Sequence, residues 1–225
     1  MTEVTIRNKE LLEMLDGFVD TFRSIEGYND PKYHFYDPQD APCNGEFYCN
    51  EENLWLQKAL DKKHSGYPEQ HVSQPVSQMA QRDPDKWKDL EFLVKKKFPE
   101  TLGVHSSALF NYYPAGGFVG WHTNWNANAY QILFTWSETG HGYFKYWDNI
   151  NQEVVTIDDK PGWQCRWYYF GRYDEPDHHC WHAAYAGCDR ITLAYKFIND
   201  RIGSDTDIKA IILRDQLIED IESEY

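Results

Sequence analysis

Apolar residues recur along this chain with two different periods, and the change falls near Val104. Leu11, Leu15, Phe18 and Phe22 stand at helical spacing, with Leu12 and Val19 widening the stripe, so residues 9–23 are expected to form an amphipathic helix packed on a core. Asn50 can cap a second helix running to Lys62, since Glu51 and Glu52 lie in its first turn and Lys62 and Lys63 at its end, an order that complements the helix dipole. Asp83-Pro84 opens a third. Trp87, Leu90, Val94 and Phe98 give its buried face, Lys95 to Lys97 its solvated end, and Pro99 is expected to stop it. Beyond Val104 the period becomes two. Strands are expected near 106–114, 119–124, 129–137, 142–148, 153–158, 164–171, 179–185 and 189–198, separated by Gly, Asn and Asp turns. So many short strands predict a closed or double-sheet β core, of which the jelly roll is the commonest form. IKAIILRDQLIEDIE, residues 208–222, reads as a last helix.

The pattern gives one domain over 1–225: a helical and loop flank (1–103), a jelly-roll core (104–198) and a C-terminal helix (199–225). Residues 27–49, rich in Pro, Asp, Gly and aromatics, suit either a loop bordering a substrate entrance or a plain connection. There is no internal repeat and no run of eighteen apolar residues, so no membrane span is expected. The first residues carry neither a basic nor an apolar leader region, and a soluble cytoplasmic protein is the expectation. The net charge of −14 disfavours a broad footprint on nucleic acid and leaves a small molecule or a peptide as the expected substrate. Five cysteines without CxxC spacing point to reduced thiols, not a disulfide framework, and Cys180 and Cys188, which flank His182, read as buried thiols and not as ligands.

Candidate chemistry lies in ALFNYYPAGGFVGWHTN (108–124) and HHCWHAAYAGCDRITLAYKFI (178–198). His122 follows the Gly-rich AGGFVGW turn, where backbone can approach a bound group closely. His182 begins a short aromatic strand, and Arg190 and Thr192 share one face of the last strand by alternation. A guanidinium fork beside a hydroxyl suits a carboxylate, and Arg190 is expected to serve binding more than the fold. His178 and His179 compete with His182. The eight-residue gap to Arg190 suits a turn between adjacent strands and favours His182.

In this order and spacing the chain resembles the Fe(II)/2-oxoglutarate-dependent oxygenases, particularly small prolyl-hydroxylase-like members built on a double-stranded β-helix, over roughly residues 106–198. That family holds iron with His-x-Asp and a distal His, and the cosubstrate's distal carboxylate with Arg-x-Ser/Thr. The resemblance implies His122, Asn124 and His182 as metal ligands, and Arg190, Thr192 and Tyr113 as 2-oxoglutarate contacts. The string DKPGW (159–163) also resembles members of the group. Asn124 stands where the family has Asp; its carbonyl oxygen can ligate, or water, Glu138 or Asp148 can complete the shell. The implied function is a hydroxylase forming succinate and CO2. The alternatives are a non-catalytic jelly-roll binding module and a cupin-like metal enzyme that does not use 2-oxoglutarate.

Overall fold

The structure, a computed structural model, describes residues 1–33, 35–36, 45–60, 71–104, 106–124, 130–171, 175–196 and 208–224. The N-terminal flank holds β1 (Thr2–Val4), α1 (Lys9–Ser24), β2 (Phe35–Tyr36), α2 (Gly45–Tyr48), α3 (Glu51–Leu60), β3 (His71–Pro75), α4 (Val76–Arg82), α5 (Pro84–Phe92) and α6 (Phe98–Leu102). The core strands are β4 (Ser106–Tyr113), β5 (Phe118–His122), β6 (Tyr130–Ser137), β7 (Gly142–Asp148), β8 (Glu153–Asp158), β9 (Gly162–Tyr169), β10 (His182–Ala186) and β11 (Arg190–Lys196), and α7 (Ile208–Glu222) follows.

The eight core strands form two antiparallel sheets, β9-β6-β11-β4 and β5-β10-β7-β8. β3 joins them, pairing with β4 through Gln74 and with β5 through His71, and β1 extends the first sheet beyond β9. This is the expected jelly-roll core between N-terminal and C-terminal helices. Alternation decides what each face carries. In β11, Ile191, Leu193 and Tyr195 join the main apolar core, whereas Arg190, Thr192 and Ala194 face the space between the sheets. The outer face of the first sheet is covered by α1, α4, α5, α6 and α7. Phe22 is central there, its ring 5.1 Å from Tyr112, 5.3 Å from Tyr28 and 5.7 Å from Trp87. A smaller apolar cluster, including Leu54, Phe118, Trp121 and Trp147, puts α2 and α3 on the outer face of the second sheet.

Several boundaries depart from the sequence reading. Pro99 does not stop the third helix: Leu93–Lys97 widens into a π turn, Pro99 falls early in α6, and Gly103, in the left-handed region at φ 64°, ends the run. A proline there removes no N–H that the restarted turn needs. β3 and α4 are absent from the sequence reading. The buried positions of β3 are His71, Ser73 and Gln74, so polar residues hide its strand pattern. The described part of 27–49 does not reach the space between the sheets. Tyr28 donates to Asp189, Tyr33 is buried, and Tyr48 stacks on Phe118 outside the second sheet. Among the described residues no helix is long and apolar enough to cross a membrane. Cys49, Cys165, Cys180 and Cys188 are reduced and buried; Cys43 lies outside the described residues.

Candidate functional site

His122 ends β5 and His182 begins β10, and the two residues are paired in register across the second sheet. Their ring centroids lie 4.1 Å apart. Each ring is fixed by the same local device: His122 Nδ1 donates to the Gly120 carbonyl at 2.8 Å, and His182 Nδ1 donates to the Cys180 carbonyl at 2.8 Å. A carbonyl can only accept, so the proton sits on Nδ1 and the lone pair on Nε2. That is the tautomer a metal-binding histidine uses. The opening of AGGFVGW forms a turn around Gly116 and Gly117. It sits at the far end of β5 from His122, where Gly116 N donates to Ala186 O and Ala186 N to Gly117 O, setting β5 against β10. A Cβ on Gly117 would lie 2.7 Å from the Pro114 carbonyl.

Both imidazoles line a cavity of about 140 Å³ between the sheets, together with Asn124, Asn111, Tyr113, Gln131, Arg190 and Thr192. Leu109, Leu133, Phe144 and Phe170 supply apolar walls. Pockets for drug-sized ligands start at about 300 Å³, so this space suits a small acid. All six residues singled out from the sequence therefore share one cavity. The competing histidines do not line it: His178 is exposed in a short turn, and the His179 carbonyl accepts from Asn149. The two carboxylates considered for a metal shell are also elsewhere. Glu138 pairs with Arg23 on the surface at 2.8 Å, and Asp148 caps the turn after β7 through Ile150 and Asn151. Among the described residues no group of three His, Cys, Asp or Glu side chains is gathered as a metal site.

The Arg190 end of the cavity is more elaborate than the sequence suggested. Arg190 is buried, and its Nε donates to Asp159 Oδ2 at 2.8 Å, while Nη1 donates to Thr192 Oγ1 at 2.8 Å. Its guanidinium lies over the Tyr113 ring, 5.2 Å from the centroid. Burial is the largest single influence on Arg190 and works against its charge, but Asp159, Tyr113 and Cys188 together leave its pKa raised. Tyr113 is pushed up by burial, so its hydroxyl keeps its proton and can donate. Asn111 and Gln131 are buried amides on the same inward faces as Tyr113 and Leu133. Asn111 stands two residues before Tyr113, a signal that alternation alone could have read; nothing local in the sequence ties Asp159 to Arg190.

His122 has its pKa held well below the ordinary 6.5, first by burial and then by the neighbouring His182 imidazole. In the metal-free protein it therefore stays neutral where the unfolded chain takes up a proton. Its contribution to stability is full above pH 6.5 and is lost as pH falls below that value. We expect the unfolding free energy of the metal-free protein to fall by up to about 1.4 kcal/mol per pH unit there from this one group. Denaturant titrations of wild type and His122→Gln at pH 7.5 and 5.5 check it. Equal pH dependence in both would remove the effect.

No family model matches the chain, and no curated protein matches it. Among solved structures, a prolyl-4-hydroxylase from Pseudomonas putida is similar over 82% of this chain and 100% of its own, at 11% identity and a TM-score of 0.32. A rice dioxygenase for auxin oxidation is similar over 83% of this chain and 69% of its own, at 16% identity and a TM-score of 0.35. The chain spans 64% of OsALKBH1, which covers 48% of it at 10% identity and a TM-score of 0.28. Strand order and register, independent of these likenesses, assign the architecture. The chain has a double-stranded β-helix fold. That fold is common to oxygenases and cupins, so function rests on the site itself.

Proposed function

We propose that this protein is an Fe(II)- and 2-oxoglutarate-dependent oxygenase that hydroxylates a C–H bond of a small-molecule or peptide substrate. One observation carries the reading. Two imidazoles from separate strands, both with Nδ1 held by backbone carbonyls, share a small cavity with a buried Arg–Thr pair. The donor chemistry fits the group: His122 and His182 would hold the metal through Nε2, and Asn124 through its amide oxygen. Arg190, Thr192 and Tyr113 would hold the distal carboxylate of 2-oxoglutarate. When bound, iron and cosubstrate supply oxidation by O2, with 2-oxoglutarate leaving as succinate and CO2. The chain's own work is positional. The Arg190 end orients the acid, and Phe144 and Phe170 flank His182, with ring centroids 5.5 and 5.1 Å away, keeping water from that side.

The test is succinate formation by purified protein given Fe(II), 2-oxoglutarate and air. The expected result is iron-dependent succinate that falls by at least about a thousandfold in His122→Ala and in His182→Ala. The absence of a gathered carboxylate among the described residues favours one second reading, an acid-binding module without iron chemistry. It would appear as 2-oxoglutarate binding that is indifferent to metal, with no succinate.

A further inference from the structure

Asp159 forms an ion pair with Arg190 in which both side chains are almost wholly buried, at 3% exposure for Arg190 and 1% for Asp159. Its place is built for it. Asp159 N donates to the Gly142 carbonyl, and a Cβ on Gly142 would lie 2.6 Å from Asp159 Oδ2, so only glycine there admits the carboxylate. The second oxygen, Oδ1, is buried without a hydrogen-bond partner among the described residues. Beyond Asp159 lies a second buried guanidinium. Arg166 donates to Gln164 at 3.1 Å, and Gln164 donates to the Lys160 carbonyl at 2.9 Å, beside Asp159 in the chain.

A guanidinium has five N–H donors. On Arg190, Nε is taken by Asp159 and one Nη1 hydrogen by Thr192, which leaves donors only on the two Nη atoms among the described residues. The side-on Nε/Nη2 edge is thus closed to any ligand, and an incoming carboxylate must meet Arg190 at its end. That carboxylate would become the second anion on one cation. Among the described residues the buried charges here are Arg190 and Arg166 against Asp159. Asp159 therefore offsets the charge of Arg190, and removing it would raise the net charge of this end by one.

We propose that Asp159 is a positioning and affinity-setting residue, an internal counter-ion that restricts Arg190 to an end-on carboxylate and holds affinity for that carboxylate down. The inference rests on Arg190 being the acid anchor of the proposed function. It makes two consequences measurable. Asp159→Asn keeps an oxygen for Nε while removing the competing charge, and so should tighten 2-oxoglutarate binding by about 10- to 100-fold. In wild type, the preference for 2-oxoglutarate over its distal amide, 2-oxoglutaramate, should stay under about tenfold, because the anchor is already largely neutralised.

The experiment is anaerobic calorimetry of the Fe(II)-loaded protein with both probes, for wild type, Asp159→Asn and the charge-balanced pair Arg190→Gln/Asp159→Asn. Tighter binding and a larger acid-over-amide preference in Asp159→Asn, with loss of binding in the pair, is the expected result. If the pair binds 2-oxoglutarate like wild type, the anchor itself is wrong. If the pair loses binding but Asp159→Asn binds no tighter, Asp159 is merely structural and the inference is overturned. Should Asp159→Asn not fold, the wild-type preference decides alone: above about tenfold it contradicts the proposal, and below that it supports it.

Discussion

Arg190→Ala is expected to unfold far more easily than wild type, losing about 3–5 kcal/mol, as well as losing 2-oxoglutarate binding. The substitution strands Asp159, a buried carboxylate whose Oδ1 already has no hydrogen-bond partner among the described residues, with no cation beside it. For a chain of this length the melting temperature should drop by roughly 10 °C. The pair Arg190→Gln/Asp159→Asn should regain most of that stability, because a buried ion pair replaced as a whole is often near neutral. It should still bind 2-oxoglutarate more weakly than wild type, since the guanidinium donors that meet the ligand's carboxylate are gone. Thermal melts and calorimetry on the two variants separate fold from binding. A single variant as stable as wild type would mean that Asp159 does not depend on Arg190.

The second large effect concerns Asn124→Asp, which should bind Fe(II) more tightly, by at least about tenfold in the absence of cosubstrate. Under the proposed ligand set, His122, His182 and Asn124 bring no charge to the metal. Dianionic 2-oxoglutarate then makes the centre formally neutral, where an aspartate would make it −1. Without cosubstrate only neutral protein ligands remain, so wild-type protein should lose iron on purification and regain it cooperatively with 2-oxoglutarate. Fe(II) affinities of both forms, with and without 2-oxoglutarate, check this. If the aspartate variant binds no better in either condition, Asn124 is not a ligand.

Much of the fold was legible because its strands alternate cleanly. RITLAYK alternates core-facing Ile191, Leu193 and Tyr195 with cavity-facing Arg190, Thr192 and Ala194, and a period of two is visible from the residues alone. The eight-residue gap to Arg190 favours His182 over His178, and the cavity contains His182 and not His178, but the two strands are not neighbours: β10 pairs with β5 and β7, and β11 with β4 and β6 in the other sheet. What failed had identifiable causes. β3 buries His71, Ser73 and Gln74, so its pattern looks like a loop, and α4 is only seven residues long. Pro99 ends a helix by local chemistry, yet the π turn before it moves it to an early helical position where proline is tolerated. From the sequence Arg190 reads as serving binding more than the fold. Its ion pair with Asp159 forms across 31 residues of chain, through the turn before β9, and pairing at that separation leaves no local trace.

The most direct measurement is the structure of crystals grown under nitrogen with Fe(II) and 2-oxoglutarate, with anomalous scattering locating the iron. The account predicts one iron bound by Nε2 of His122 and of His182 and by the amide oxygen of Asn124, at about 2.0–2.2 Å. It also predicts the distal carboxylate of 2-oxoglutarate end-on at the Nη atoms of Arg190. Iron held by other residues, or 2-oxoglutarate bound away from Arg190, would contradict it.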